Sequence, residues 1–505
     1  MISERSSGIL LHPTSLPGPY GAGDFGPSAY HFVDWLVSAG QSVWQVLPLG
    51  TIGEGNAPYT GSSAFAGNPL MIDLVDLGQR GWLGADDLRL DPAFQDDRVN
   101  YSLQFAFRIP RLRVAARRFL AHAAPDERAD FEAFLAEEQA WLQDYALFMA
   151  LDAEYPGKSW NEWPLPLAHR DPQALREAAR AHADEVVFWQ FCQWAFSRQW
   201  SRVKDYANRR GISIVGDVPI FVAYHSADVW SQQGLFELDA DGVRTAVAGV
   251  PPDCFSSSGQ RWGNPLYRWS AHSADGYRWW IARMKRALAL ADVVRIDHFR
   301  GFAAYWEIPA TEPSAVNGRW VSGPGKELFQ ALHDSFPELP IIAEDLGFIT
   351  PDVEELRDGV GLPGMRILQF AFAEDADHAY LPHNYEVNTV AYTGTHDNNT
   401  SIGWWRGASS RERAFAQHYL GTDGNSIQWS LMRALSISVA RLVVYPMQDV
   451  LGLDGRHRMN VPGVPSGNWE WRFSWSEVHE WHAKVLREMG AVHGRCKLSG
   501  VSLPD

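Results

Sequence analysis

Eight short, continuously apolar runs, each closing in polar residues, constrain this chain more than any other feature. They are GILLHPTSL (8–16), SVWQVLPL (42–49), ISIVGDVPIFV (212–222), VVRIDHF (293–299), IIAEDLG (341–347), MRILQF (365–370), TVAYTGTHD (389–397) and RLVVYPMQDV (441–450). A strand with one wet face alternates apolar and polar residues. Strands covered on both faces do not alternate, which favours a parallel sheet with helices outside. Helical stripes lie between runs. Pro27 opens one that reaches Ala39, with Phe32, Trp35 or Leu36, and Ala39 along one face; Trp280, Met284 and Ala287 share another. Eight such units predict an α/β fold, a closed (β/α)₈ TIM-type barrel.

Two spacings break the regular repeat. No convincing barrel strand lies between Leu49 and Ile212, and the charged, helix-patterned sequence there predicts a helical insertion over 50–211 after strand two. A Gly/Pro/Ser-rich stretch follows strand three. It reads as an insertion and active-site loop over 224–270, since long loops in compact proteins are usually functional. The whole chain, 1–505, is then one catalytic barrel with insertions. Only about 55 residues follow strand eight, and SEVHEWHAKVLREM (476–489) reads as helix, so no C-terminal β-sandwich is expected.

Composition narrows the partners. Formal net charge is 44 − 60 = −16, the wrong sign for nucleic acid or an anionic membrane and compatible with a neutral substrate. Three scattered cysteines, Cys192, Cys254 and Cys496, form neither a disulfide framework nor a metal-ligand spacing. No apolar run is long enough to span a bilayer and none resembles a signal peptide, so a cytoplasmic protein is expected. The 23 tryptophans fit a large packed core, and flat rings also suit the apolar faces of sugars.

In a TIM-type barrel the chemistry lies at the C-terminal strand ends. The acids there are Asp217, Asp297, Glu344 with Asp345, Asp397 and Asp449. One such acid is more often a cap or a loop acceptor than a catalyst, but several at equivalent ends would converge on one pit. Converging carboxylates without a Cys or His-rich ligand set suggest glycoside chemistry. One carboxylate attacks the anomeric carbon and a second protonates the leaving oxygen. Alternation puts Arg295 on the face of Asp297, where a guanidinium keeps that carboxylate charged. Glu344 has no adjacent cation, and burial would keep it protonated. Asp397, beside His396, is placed to grip sugar hydroxyls. For His298 and His396 the plain alternative is a core histidine bonded to a backbone carbonyl.

GDVPIFVAYHSADVW (216–230), VRIDHFRGF (294–302), IIAEDLG (341–347) and TGTHDNNT (393–400) resemble the four strand-end motifs of the α-amylase clan. The version here resembles glycoside hydrolase family 77, the 4-α-glucanotransferases, also called amylomaltases or disproportionating enzymes. LLHPTSLPGPYGAGDFG (10–26), SAFAGNPLMIDL (63–74), GVPPDCFSSSGQRWGNPLYRW (249–269), YPMQDVLGL (445–453) and RMNVPGVPSGNWEWR (458–472) carry the resemblance over nearly the whole chain. It implies a retaining transferase that moves a segment of a 1,4-α-glucan to the 4-hydroxyl of glucose or a maltooligosaccharide, with no metal or organic cofactor. It further implies Asp297 as nucleophile, Glu344 as acid/base and Asp397 as transition-state stabiliser. Arg295 would position the nucleophile. Asp217, His298, His396, Tyr59, Asp253, Asn460 and Pro462 match sugar-contacting positions.

The 249–269 loop is similar to the family loop that arches over the site. Phe255 and Trp262 would supply its apolar cover, and exclusion of water would favour transfer over hydrolysis. Three departures from the family pattern, Cys254, His225 and GTIGEGNAPY (50–59), leave acceptor preference and donor length open. Three rivals stand beside this reading: a clan member that hydrolyses α-glucans, a non-catalytic glucan-binding barrel, and a metal-dependent barrel hydrolase, for which only His12 is offered after strand one.

Overall fold

The computed structural model describes residues 4–252 and 256–496. Asp253 and Phe255, expected at the site, and the departure at Cys254 lie outside the described residues. Eight parallel strands form the barrel: β1 (Ser6–Leu10), β2 (Val43–Gln45), β3 (Ser213–Pro219), β4 (Val293–Asp297), β5 (Ile341–Ala343), β6 (Gly364–Ile367), β7 (Thr389–Tyr392) and β8 (Leu442–Pro446). Their order is β6-β7-β8-β1-β2-β3-β4-β5. The remaining seam is drawn together where the Ala343 amide donates to the Pro363 carbonyl at 2.9 Å. Every residue of β1, β2, β5, β7 and β8 is buried, which is why these segments read as unbroken apolar runs.

The outer helices follow the sequence pattern. One spans Pro27–Ser38, with Pro27 at its first position and Ala39 as its C-cap. Another spans Arg278–Leu290 and buries Trp280 and Met284. Between β2 and β3 run helices Tyr101–His122, Pro125–Glu137, Gln139–Glu154, Pro172–Ala181 and Ala183–Arg209. The last of these returns to the barrel, where the Trp200 ring packs 6.0 Å from Trp44 and 5.0 Å from Phe25. Trp44, Trp160, Trp194, Trp200, Trp230 and Trp280 are among the largest fully buried side chains. Much of the tryptophan content is therefore core.

A second sheet was not legible in the sequence. Ala246–Val250 pairs antiparallel with Gln260–Pro265 on one side and Ala304–Pro309 on the other, and Arg319–Ser322 closes the far edge. The stretch expected as a structureless loop after β3 thus contains two strands. Its Gly, Ala and Pro content hid them, because AVAGV and QRWGNP lack the β-branched alternation that marks a strand. Among the described residues no strand follows Pro446. The chain there forms short turns and the helix Glu480–Val492.

Candidate active site

β3 and β4 pair in a register that sets Asp217 opposite Arg295. Opposed residues project from one face of the sheet, and Arg295 and Asp297, two apart on β4, share that face. Arg295 Nη1 donates to both Asp217 oxygens at 2.7 Å, and Nη2 donates to Asp297 Oδ1 at 3.0 Å. The Asp217 side chain is 1% exposed and that of Asp297 30%, so the guanidinium is anchored at the barrel floor and holds Asp297 at the mouth. Burial alone would lower the Arg295 pKa. The charges of Asp217 and Asp297 overcome it and raise Arg295 well above its ordinary value.

β5 ends at Ala343, and the amide of the next residue, Glu344, donates to Ile296 O at 3.0 Å. The Glu344 side chain lies back against the end of β4. Oε2 accepts from the His298 amide at 2.6 Å, and Oε1 accepts from the Leu346 amide at 3.1 Å. His298 occupies the left-handed region, φ 55° and ψ 49°, an uncommon conformation for a residue with a side chain. Burial, then the charge of Asp297, pushes the Glu344 carboxyl up to about 8, against the pull of Arg295. Burial and a neighbouring charge thus raise the Glu344 carboxyl, the kind of environment that suits a general acid.

The end of β7 carries the third acid. Asp397 Oδ1 accepts from Asn460 Nδ2 at 2.6 Å, and its backbone oxygen accepts from Arg458 Nη2 at 2.8 Å. His396 Nε2 lies 2.9 Å from the Tyr59 hydroxyl and 3.4 Å from Asp397 Oδ1. The Tyr59 hydroxyl donates to Asp217 Oδ2 at 2.8 Å. A phenol has one proton to give, so its oxygen accepts from His396, whose Nε2 carries a hydrogen. The Tyr59 and His396 rings stack at 5.3 Å, with Trp469 5.8 Å from His396. Among the described residues neither histidine's ring shows a bond to a backbone carbonyl. His298 Nε2 is buried without a hydrogen-bond partner, and burial lowers this imidazole to about 4, so it is neutral. Trp262 packs its ring edge-on to His298 at 4.8 Å and lines a pocket together with Tyr224 and Asn264.

The strand-end acids do not all converge. Asp345 engages Arg357 and the Met365 amide, and Asp449 is held by Thr393 Oγ1 and by the amide and hydroxyl of Ser401. These two brace the barrel rim. Pro462 is exposed, two residues beyond Asn460. Arg458 and Trp469 were not singled out from sequence, although both lie inside the 458–472 motif. Among the described residues no three His, Cys, Asp or Glu side chains are grouped to hold a metal ion.

A TIM-type barrel that brings a guanidinium-held carboxylate and a buried carboxyl to its strand ends has the layout of enzymes that act on glycosidic bonds. A family model described as 4-α-glucanotransferase, glycoside hydrolase family 77, matches residues 11–477. The chain is 53% identical over 499 residues to the 4-α-glucanotransferase of Thermus thermophilus, covering 97% of this chain and 99% of that protein. It is 46% identical over 501 residues to the chloroplastic/amyloplastic enzyme of Solanum tuberosum, covering 97% and 86%. Its fold matches the amylomaltase from Streptococcus agalactiae in complex with acarbose at a TM-score of 0.95 and 38% identity, covering 98% of this chain and 100% of that one. The chain belongs to the 4-α-glucanotransferase family and is an enzyme of the glycosyltransferase type.

Proposed function

We propose that the enzyme is a retaining transferase that works by double displacement. Asp297 attacks the anomeric carbon of a 1,4-α-glucan while Glu344 gives its proton to the departing 4-oxygen, leaving a covalent β-glucosyl ester on Asp297. Glu344, now a carboxylate, takes the proton from the 4-hydroxyl of an acceptor, glucose or a maltooligosaccharide, as that oxygen attacks. The ester breaks and Asp297 leaves as carboxylate. Asp397, Asn460, Tyr59, His396 and His298 supply hydrogen bonds to sugar hydroxyls.

The observation that carries this reading is the asymmetry of the two carboxyl groups. Asp297 shares the Arg295 fork, whereas burial and that same Asp297 charge hold a proton on Glu344. The few cysteines, Cys192 buried among them, suit a reducing compartment, and the cytoplasm is the proposed location.

Incubation with maltotriose tests the reading. A ladder of longer maltooligosaccharides should form together with free glucose, and Asp297→Asn should abolish it while glucan binding persists. Maltose and glucose without a ladder would mean hydrolysis, and undiminished turnover by Asp297→Asn would remove that residue from the mechanism.

A further inference from the structure

Two aromatic rings are held outward just beyond the segments that carry the paired acids. Phe348 is 64% exposed and Trp320 36%. Neither dangles. Arg300, itself buried, sets its guanidinium 3.9 Å from the Trp320 ring centre and 5.7 Å from that of Phe348. The same side chain donates to the Phe348 carbonyl and, at 3.3 Å, to Thr350 Oγ1. Trp320 is also paired in register with Trp306, whose ring lies 5.2 Å away at 70° and whose Nε1 donates to Ala315 O at 2.9 Å.

Large apolar rings left in water forgo the stabilisation that burial would give. A cation–π brace that immobilises them there favours a ligand with a flat apolar face, since little side-chain entropy is then lost on binding. Two of the three platform residues follow the paired acids closely along the chain. Arg300 follows Asp297 by three residues and Phe348 follows Glu344 by four, which bounds their Cα separations at about 11 and 14 Å. The Phe299 amide ties these two segments together by donating to Glu344 O at 3.0 Å.

We propose that Phe348 and Trp320, braced by Arg300, form an outer glucan platform that stacks glucose rings of long 1,4-α-glucan chains several units from the reacting bond. The assignment rests on the reading that the substrate is a 1,4-α-glucan. Longer chains engage both rings more fully than short ones, so the platform favours chain length.

The test compares kcat/KM on amylose with kcat/KM on maltotriose for the intact enzyme and its variants. Phe348→Ala should lower the amylose-to-maltotriose ratio at least five-fold, through a higher KM for amylose. Phe348→Tyr, which keeps the ring, should restore the ratio, and Trp320→Ala should lower it as Phe348→Ala does. An unchanged ratio in Phe348→Ala, or an equal loss on both substrates, would overturn the platform. Failure of the wild-type enzyme to disproportionate maltotriose would instead overturn the proposed function.

Discussion

The amide nitrogen of His298 lies 2.6 Å from Glu344 Oε2, so the strand that carries Asp297 also fixes the carboxyl facing it. His298 itself sits in a left-handed turn immediately after the strand. The Glu344 carboxyl is therefore positioned by backbone, and burial and the Asp297 charge raise its pKa.

The first expectation concerns pH. Glu344 is raised to about 8, and a general acid must enter the reaction protonated. The kcat/KM for maltotriose disproportionation should hold through neutral pH and fall as pH rises through about 8. Because the Asp297 charge is one cause of the shift, Asp297→Asn should lower the Glu344 pKa, read by carbon NMR of labelled glutamate. A basic limb near the ordinary carboxyl value would contradict the assignment.

The same shift has a stability consequence. The folded-state value lies above the ordinary 4.5, so as pH climbs from about 4.5 to about 8 the unfolded chain releases a proton that the folded one retains. This group's contribution to stability is complete at low pH and declines across that window. Glu344→Gln is spared the decline. Its melting temperature relative to wild type should rise between pH 5 and pH 8, while its activity is lost. A melting difference that is flat with pH would mean that Glu344 titrates near its ordinary value.

Arg295 yields a prediction about folding and chemistry together. Its fork serves Asp217 on one side and Asp297 on the other. Arg295→Met would leave the Asp217 carboxylate buried without its cation, at a cost of about 3–5 kcal/mol. Arg295→Lys keeps charge but cannot span both acids. Lysine should recover part of the stability in urea denaturation and little of the kcat. Full activity in Arg295→Lys would show that the two-sided fork is dispensable.

The barrel and the acid set were legible because their signals are local. β1, β7 and β8 are buried along their length, so each announces itself as an apolar run, and Asp297 and Arg295 are linked by simple alternation. Other features depend on folding. Asp345 and Asp449 carry the same strand-end signature as Glu344, and only their partners, Arg357 and Ser401, reveal them as braces. Tyr59 reaches Asp217 across 158 positions of sequence. The small sheet joins a hairpin rich in glycine and alanine to one more than 40 residues further on, and no period of two marks its inner strand.

The last prediction isolates the Tyr59 oxygen. Its hydroxyl donates to Asp217 and accepts from His396, so it couples the floor of the site to the segment bearing Asp397. Tyr59→Phe removes that atom and keeps the ring packed against both His396 and Trp469, 5.3 and 5.7 Å away. Asp217 retains both bonds from Arg295, so the fold should lose only about 1–2 kcal/mol. His396, released from the phenol, retains Asp397 Oδ1 at 3.4 Å as its partner and can close on it. That motion would compete with Asn460 for the oxygen that Asp397 offers to the sugar in the proposed mechanism. The kcat/KM on maltotriose should fall roughly ten-fold, equivalent to about 1.4 kcal/mol of transition-state binding. Tyr59→Ala, which also removes the stack, should lose distinctly more thermal stability than Tyr59→Phe. Equal melting temperatures for the two variants would mean that the ring contributes nothing to holding His396, and unchanged turnover in Tyr59→Phe would uncouple the hydroxyl from the acid set.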